Sequence, residues 1–139
     1  MTAEKAYAEL LTRMKELALL GNTAGVLGWD QEVYMPGANA AYRADQLSLL
    51  AGMCHQKFTD PAVGDLIDRA LREPGDPRGD QAVNLREWKR SYERSKKLPQ
   101  SLVEEMARVT SNAQVEWVEA RKAKDFKRFQ PWLEKIITL

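Results

Sequence analysis

The sequence is poor in the residues that build most metal and nucleophile sites. Its 139 residues include one cysteine, Cys54, and one histidine, His55. A single cysteine excludes an internal disulfide, a redox pair and a thiolate metal cluster, and it fits a reducing, cytoplasmic setting. A zinc hydrolase normally takes about three protein ligands, often two imidazoles on one helix face. Adjacent helical residues point about 100° apart, so these two side chains alone do not close on one ion. The residues therefore predict no metal, no cofactor and no catalytic residue in this chain.

An excess of one charge is also missing. Lys and Arg number 21 against 20 Asp and Glu, which leaves a net charge of +1. Such a balance gives no long-range field to gather nucleic acid or anionic lipid, so neither partner is expected. No run of about 18 consecutive apolar residues occurs. Nucleophile turns of the Gly-x-Ser-x-Gly type and Gly-rich phosphate loops ending in Lys-Ser or Lys-Thr are absent as well.

What the sequence does contain is helical periodicity. Apolar residues recur at spacings of three and four and almost never at two, so no strand is predicted. We predict an all-α fold, an antiparallel array of six or seven helices with no sheet, in a single helical domain over residues 1–139. The expected helices cover about 3–20, Thr23 to Pro36, about 38–57, Pro61 to about 71, a segment ending near Lys97, one starting at Pro99 and one after Asp125.

Local signals punctuate this pattern. Gly21 and Asn22 are typical of a helix C-terminus and predict that the first helix ends there. Asp60 followed by Pro61 predicts an N-cap and a first helical position. The segment EPGDPRGD, residues 73–80, has two Pro and two Gly in eight residues and predicts a surface loop.

The last predicted helix is apolar to its end. Asp125 is typical of an N-cap, although Pro131 suggests a start nearer to itself. The sequence stops at LEKIITL, inside an apolar stripe, which predicts that the chain is the front portion of a longer one. Alternatively the chain is a stand-alone interaction or dimerisation module that uses an exposed final stripe. That stripe comprises Phe129, Trp132, Leu133, Ile136 and Ile137.

Four tryptophans fall within apolar helical stripes. They are Trp29, Trp88, Trp117 and Trp132. Because each would bury a large area if packed inside, we predict that all four belong to the core.

Two acids beside Trp29 are the most conspicuous polar feature. If both lie on one helix, Glu32 projects about 200° from Asp30, so the two carboxylates do not share a face and do not form an acid/base pair by themselves. A carboxylate buried in an apolar helix needs a cationic or amide partner. Arg43 and Gln46, just beyond Pro36-Gly37, are the nearest candidates. We predict a structural polar network of Asp30, Glu32, Arg43 and Gln46, with one of the acids bonded to Arg43; acid/base catalysis by the two acids is the competing hypothesis.

The same residues resemble the N-terminal signature of the carboxypeptidase Taq family of metal-dependent carboxypeptidases. The resemblance rests on an ordered set of short motifs and extends over nearly the whole chain. The matching residues are Trp29-Asp30-Gln31-Glu32, Met35-Pro36-Gly37, Ala41, Arg43, Gln46, Leu47-Ser48-Leu49-Leu50, Phe129 and Pro131-Trp132-Leu133-Glu134-Lys135.

The resemblance implies an all-helical metallopeptidase of much greater length, whose helices line a deep substrate groove. It implies release of single C-terminal amino acids from peptides, one divalent metal, commonly zinc or cobalt, and usually a homodimer. The family's His-Glu-x-x-His helix, its further metal-binding Glu and its substrate motifs lie downstream of the matched region. None of them maps onto a position here. The expected partner is therefore the remainder of a parent enzyme, and peptide substrate is expected only in that full-length context.

Overall fold

A computed structural model describes residues 1–139, and all of its regular structure is helical. Six α-helices are present: α1 (Ala3–Val33), α2 (Ala40–Thr59), α3 (Pro61–Ala70), α4 (Asp80–Ser95), α5 (Gln100–Ala123) and α6 (Phe126–Thr138). A short 3-10 turn, Gly37–Asn39, precedes α2. No strand occurs, so the predicted all-α fold without a sheet is confirmed. None of the helices combines the length and hydropathy that a membrane crossing requires.

The chain divides into two compact units. Unit 1 consists of Met1–Leu20 and Cys54–Pro99, and unit 2 consists of Gly21–Met53 and Gln100–Leu139. Helices α1 and α2 therefore each contribute residues to both units. The single helical domain expected over residues 1–139 stays a prediction.

Unit 1 has a compact apolar core built from three helices. Leu10 of α1, Ile67 of α3 and Leu85 of α4 are fully buried, and burial of side chains of this size stabilises by roughly 1.5–3 kcal/mol each. The aromatic rings of Tyr92 and Phe58 pack edge-on at this core, with their centroids 6.2 Å apart. The core residues are Ala6, Leu10, Val63, Leu66, Ile67, Ala70, Leu85 and Tyr92.

The start of α3 follows the predicted capping pattern. Asp60 Oδ1 accepts a hydrogen bond from the Ala62 backbone N–H at 2.8 Å, and Pro61 occupies the first turn. An Asp at this position satisfies one of the free N–H groups of the first turn. The predicted cap is confirmed. The predicted loop at 73–80 is also confirmed in outline, because residues 71–79 are not in a helix and α4 begins at Asp80.

The predicted helix end at Gly21-Asn22 is wrong. Helix α1 runs without a break from Ala3 to Val33 and merges the first two predicted helices. An interior glycine costs a helix only about 1 kcal/mol relative to alanine. Here no proline follows it, and the half-buried positions 20, 24, 27 and 31 continue the inward face at helical spacing. Periodicity on both sides of the glycine therefore outweighs the local stop signal.

Unit 2 contains the connection between α5 and α6. Lys124 adopts a left-handed φ of 53°, and the Asp125 N–H donates back to the Ala120 carbonyl at 2.9 Å. The Lys124 N–H donates to the Arg121 carbonyl, which completes a Schellman-type C-terminus. Asp125 then caps α6 by accepting from the Lys127 N–H at 3.1 Å.

The predicted start of the last helix near Pro131 is also wrong. Helix α6 begins at Phe126, directly after the Asp125 cap, and holds Pro131 inside it. A proline within a helix removes one N–H donor. The cap and the hydrogen bonds of the adjoining turns keep the helix continuous through that position.

The prediction that all four tryptophans are core residues is wrong for two of them. Trp29 is 57% exposed and Trp117 is 44% exposed. Trp88 packs partly buried on the unit 1 core, where it stacks with Tyr7 at 6.0 Å. Trp132 is half-buried. An apolar stripe shows which residues share a helix face, but it does not show whether this chain supplies what covers that face.

Candidate polar site and cleft in unit 2

The predicted polar residues lie where α1 ends and α2 begins. The Arg43 guanidinium donates from Nη2 to Asp30 Oδ2 at 2.6 Å and from Nε to Gln46 Oε1 at 3.0 Å. Its Nη1 donates to the backbone carbonyl of Leu27. One arginine therefore bonds to a carboxylate and a carbonyl on α1 and to an amide on its own helix. This is the fork geometry for which arginine is suited and lysine is not.

The burial of this group is uneven. The Arg43 side chain is 12% exposed and the Asp30 side chain is 35% exposed. A nearly buried guanidinium is stable only when its donors are satisfied. The bonds to Asp30, Gln46 and Leu27 supply that satisfaction, and no buried side-chain nitrogen or oxygen atom lacks a partner. The arrangement ties the last turns of α1 to the first turn of α2.

Glu32 does not take part in the Arg43 contacts. Its Oε1 accepts a hydrogen bond from Gln114 Nε2 on α5 at 2.8 Å, whereas Asp30 pairs with Arg43. The two carboxylates therefore have different partners on different helices. Such an arrangement does not provide the shared proton path that an acid/base pair on one substrate requires.

A second polar contact joins α1 to α5. Gln31 Nε2 donates to the Ser111 carbonyl at 2.9 Å, and Ser111 Oγ donates back to Gln31 Oε1 at 2.9 Å. Ser111 is buried, so this reciprocal pair satisfies both side chains where water is scarce. Sequence reasoning did not identify Gln31, Ser111 or Gln114 as parts of the network. The only local signal was a glutamine at an inward-facing position of α1, and its partners lie about eighty residues away in the chain.

A cleft of about 460 Å³ opens beside these contacts. Its lining includes Gln31, Glu32, Gln114, Trp117 and Lys122. Lys122 donates to Glu119 Oε1 at 2.9 Å, and this hydrogen bond holds the pKa of the Glu119 carboxyl below its ordinary value. The cleft therefore combines an exposed indole with amide groups and a paired charge.

The side chains of this chain do not form a metal site. No three His, Cys, Asp or Glu side chains converge closely enough to hold an ion. His55 Nε2 instead lies 2.9 Å from the carbonyl oxygen of Leu98. The metal implied by the resemblance therefore does not fit the residues present here.

Comparison with known protein families assigns the chain to one of them. Residues 9–139 match the family described as carboxypeptidase Taq (M32) metallopeptidase. Because this match covers most of the chain, the chain belongs to that family.

Individual relatives support the same conclusion. The chain is 38% identical over 141 residues to thermostable carboxypeptidase 1 of Thermus thermophilus. This alignment covers 100% of the present chain and 28% of the Thermus protein. The chain is 29% identical over 131 residues to thermostable carboxypeptidase 1 of Pyrococcus furiosus, covering 94% of this chain and 26% of that protein. A solved structure described as "BsuCP Crystal Structure" superposes with a TM-score of 0.89 at 26% identity, over 96% of this chain and 27% of that chain. The chain therefore spans about a quarter of the length of the relatives it matches.

Proposed function

We propose that these 139 residues form the non-catalytic N-terminal helical region of a carboxypeptidase Taq-like metallocarboxypeptidase. The observation that carries this proposal is the match over essentially the whole chain to only 28% of a carboxypeptidase. The parent enzyme releases C-terminal amino acids from peptides, and the region described here supplies scaffold and part of the wall of the substrate groove. Asp30, Glu32, Arg43 and Gln46 act as structural residues in this region.

The chemistry of the parent enzyme belongs outside these residues. A hydrolytic metal centre needs about three protein ligands and an open position, and no such group converges here. The divalent metal, zinc or cobalt, is therefore held by other segments of the parent. We also propose that the parent is cytoplasmic, in keeping with its single cysteine in this region, and that it forms a homodimer.

The proposal is tested by assaying the isolated chain. The 139-residue protein is incubated with an N-blocked dipeptide and added Zn²⁺ or Co²⁺, and free amino acid is quantified. Thermostable carboxypeptidase 1 of Thermus thermophilus serves as the positive control under the same conditions. We expect release by the control and none by the isolated chain, and equilibrium dialysis should detect no stoichiometric metal on the isolated chain.

A matched variant identifies contaminating activity. His55→Ala removes the only imidazole of the chain. Activity in the wild-type chain that is lost in His55→Ala would contradict the non-catalytic assignment. Activity that survives in His55→Ala but is lost in Asp30→Asn or Glu32→Gln would contradict it as well, whereas activity that none of these substitutions changes derives from a contaminant.

A second candidate function has its own observation. No residue of α6 is buried. Within the final stripe Ile137 and Ile136 are 73% and 37% exposed, and Phe129, Trp132 and Leu133 are half-buried. A stand-alone helical module would use the final stripe of α6 to dimerise or to bind a partner helix. Sedimentation of the wild type beside Leu133→Asp and Ile136→Asp distinguishes this alternative, because a monomer in every case removes it.

A further inference from the structure

The middle of α1 carries an apolar surface that this chain leaves open. Residues 17–29 contain no charged side chain, although 29% of the chain is charged. Exposed helix faces ordinarily carry charged or polar residues. Val26, Trp29 and Val33 are nevertheless 64%, 57% and 53% exposed, and their spacing of three, four and seven puts them on one side of the helix. These three residues are called the α1 apolar face.

An aromatic pair extends this face. The ring of Trp29 meets the ring of Tyr34 edge-on with centroids 5.5 Å apart, and Tyr34 is itself 72% exposed. Aromatic side chains in such positions supply much of the contact area when a surface is covered. The pair therefore forms a large apolar end to the face.

Two exposed glycines border the α1 apolar face. Gly21 and Gly25 are one turn apart, and a Cβ built on either would meet no atom within 4 Å. Glycine inside a helix is destabilising relative to alanine, so nothing within this chain accounts for either residue. The spacing of two packed helices depends on the side chains between them, and glycines allow the closest approach. The pair is called the glycine edge.

We propose that the α1 apolar face and the glycine edge together seat a helix from the remainder of the longer carboxypeptidase. This inference rests on the proposed function. The occupant follows from length, because the chain covers only 26–28% of the curated relatives it matches, so most of such a protein lies outside these residues. The uncharged surface needs an apolar partner, and the glycine edge admits the backbone of that partner.

The test compares one substitution in two settings. The first setting is the isolated 139-residue chain. The second is a single polypeptide in which these residues replace the matched 28% of Thermus thermophilus thermostable carboxypeptidase 1. In the isolated chain the Cβ that Gly25→Leu adds meets no atom within 4 Å, and leucine has the higher helix propensity, so we expect the melting temperature of this variant to rise by roughly 2–4 °C. In the fusion the same leucine blocks the incoming helix, and we expect the melting temperature to fall.

A pair of charge substitutions provides the matched control. Val26→Asp lies on the α1 apolar face, whereas Leu49→Asp lies on α2 at the same 64% exposure. We expect Val26→Asp to lower the melting temperature of the fusion and its rate of amino-acid release, and Leu49→Asp to change both much less. In the isolated chain neither charge should matter.

Results other than these overturn the inference, and they show whether the proposed function fails with it. An active fusion whose stability responds alike to Val26→Asp and Leu49→Asp, or rises with Gly25→Leu, removes the seat on α1 and leaves the proposed function standing. A fusion without activity removes both. If the isolated chain sediments as a dimer that Val26→Asp dissociates, the occupant is a second copy and the inference is wrong.

Discussion

Removal of the Arg43 guanidinium should destabilise the chain more than the loss of any exposed ion pair. Arg43→Ala deletes the bonds to Asp30, Gln46 and the Leu27 carbonyl. A hydrogen bond to a charged group contributes about 1.5–3 kcal/mol, and a neutral one about 1 kcal/mol. Asp30 keeps 35% of its side chain in contact with solvent, so water replaces part of what it loses. We therefore expect the free energy of unfolding to fall by about 2–3 kcal/mol.

Two further variants separate charge from geometry. Arg43→Lys keeps the positive charge but lacks the planar fork that bonds three acceptors, and we expect it to lose about half as much, roughly 1–1.5 kcal/mol. Arg108→Ala is the matched control, because Arg108 also bonds two carboxylates, those of Asp45 and Glu105, at 3.1 Å each, but is 44% exposed. Exposed pairs of this kind contribute about 0–1 kcal/mol.

Urea unfolding followed by far-ultraviolet circular dichroism measures all three variants. With a slope of about 2 kcal/mol per molar urea, the Arg43→Ala midpoint should fall by roughly 1–1.5 M and the Arg108→Ala midpoint by less than about 0.5 M. A double-mutant cycle with Asp30→Ala isolates the Asp30–Arg43 pair. If Arg43→Ala and Arg108→Ala shift the midpoint equally, the polar network does not stabilise the junction of α1 and α2 and the reasoning fails.

The remaining predictions concern packing, backbone conformation and pH. Gly64→Ala should lower the free energy of unfolding by about 1–2 kcal/mol. The added Cβ would lie 2.7 Å from the hydroxyl oxygen of the buried Tyr92, and this crowding outweighs the gain of about 1 kcal/mol in helix propensity. An unchanged melting temperature would contradict this prediction. Lys124→Gly should raise the free energy of unfolding measured by urea titration by about 1 kcal/mol, because the left-handed φ of 53° at this position strains any residue with a Cβ. A lower free energy of unfolding in this variant would count against the Schellman assignment. Burial raises the pKa of the Cys54 thiol, so the folded state favours the protonated thiol. The contribution of this thiol to the free energy of unfolding is present below the ordinary thiol pKa and is lost as the pH rises through the raised pKa of the folded state. Alkylation by iodoacetamide at about pH 8 should accordingly be slower in the folded than in the unfolded chain, and equal rates would refute this.

The local chemistry of the chain was predictable where one short segment decides the outcome. The Asp60 cap involves a side chain and an N–H two residues apart, so no distant contact is needed. The all-α class follows in the same way from apolar spacing alone. Gly21 shows the limit of local signals, because a glycine permits a helix end without requiring one, and the inward face of α1 continues beyond it.

The polar site was predictable only in part. The prediction that one of the acids bonds to Arg43 named residues close together in the chain, and the structure brings Arg43 to Asp30 and Gln46. Glu32 lies instead against Gln114, more than eighty residues away. A contact between distant segments depends on how helices pack, and one sequence without that packing does not contain it.

The sequence by itself determined the helical class, the capped start of α3 and the family to which the chain belongs. These properties depend on composition, on the helical period of 3.6 residues and on short motifs, all of which are independent of how distant segments pack. Only the tertiary structure decided that α1 is continuous, that Gln31 pairs with Ser111, and that Trp29 and Trp117 are exposed. Burial is a relation between a residue and everything around it, so the apolar stripe of a helix remains undecided until its neighbours are known.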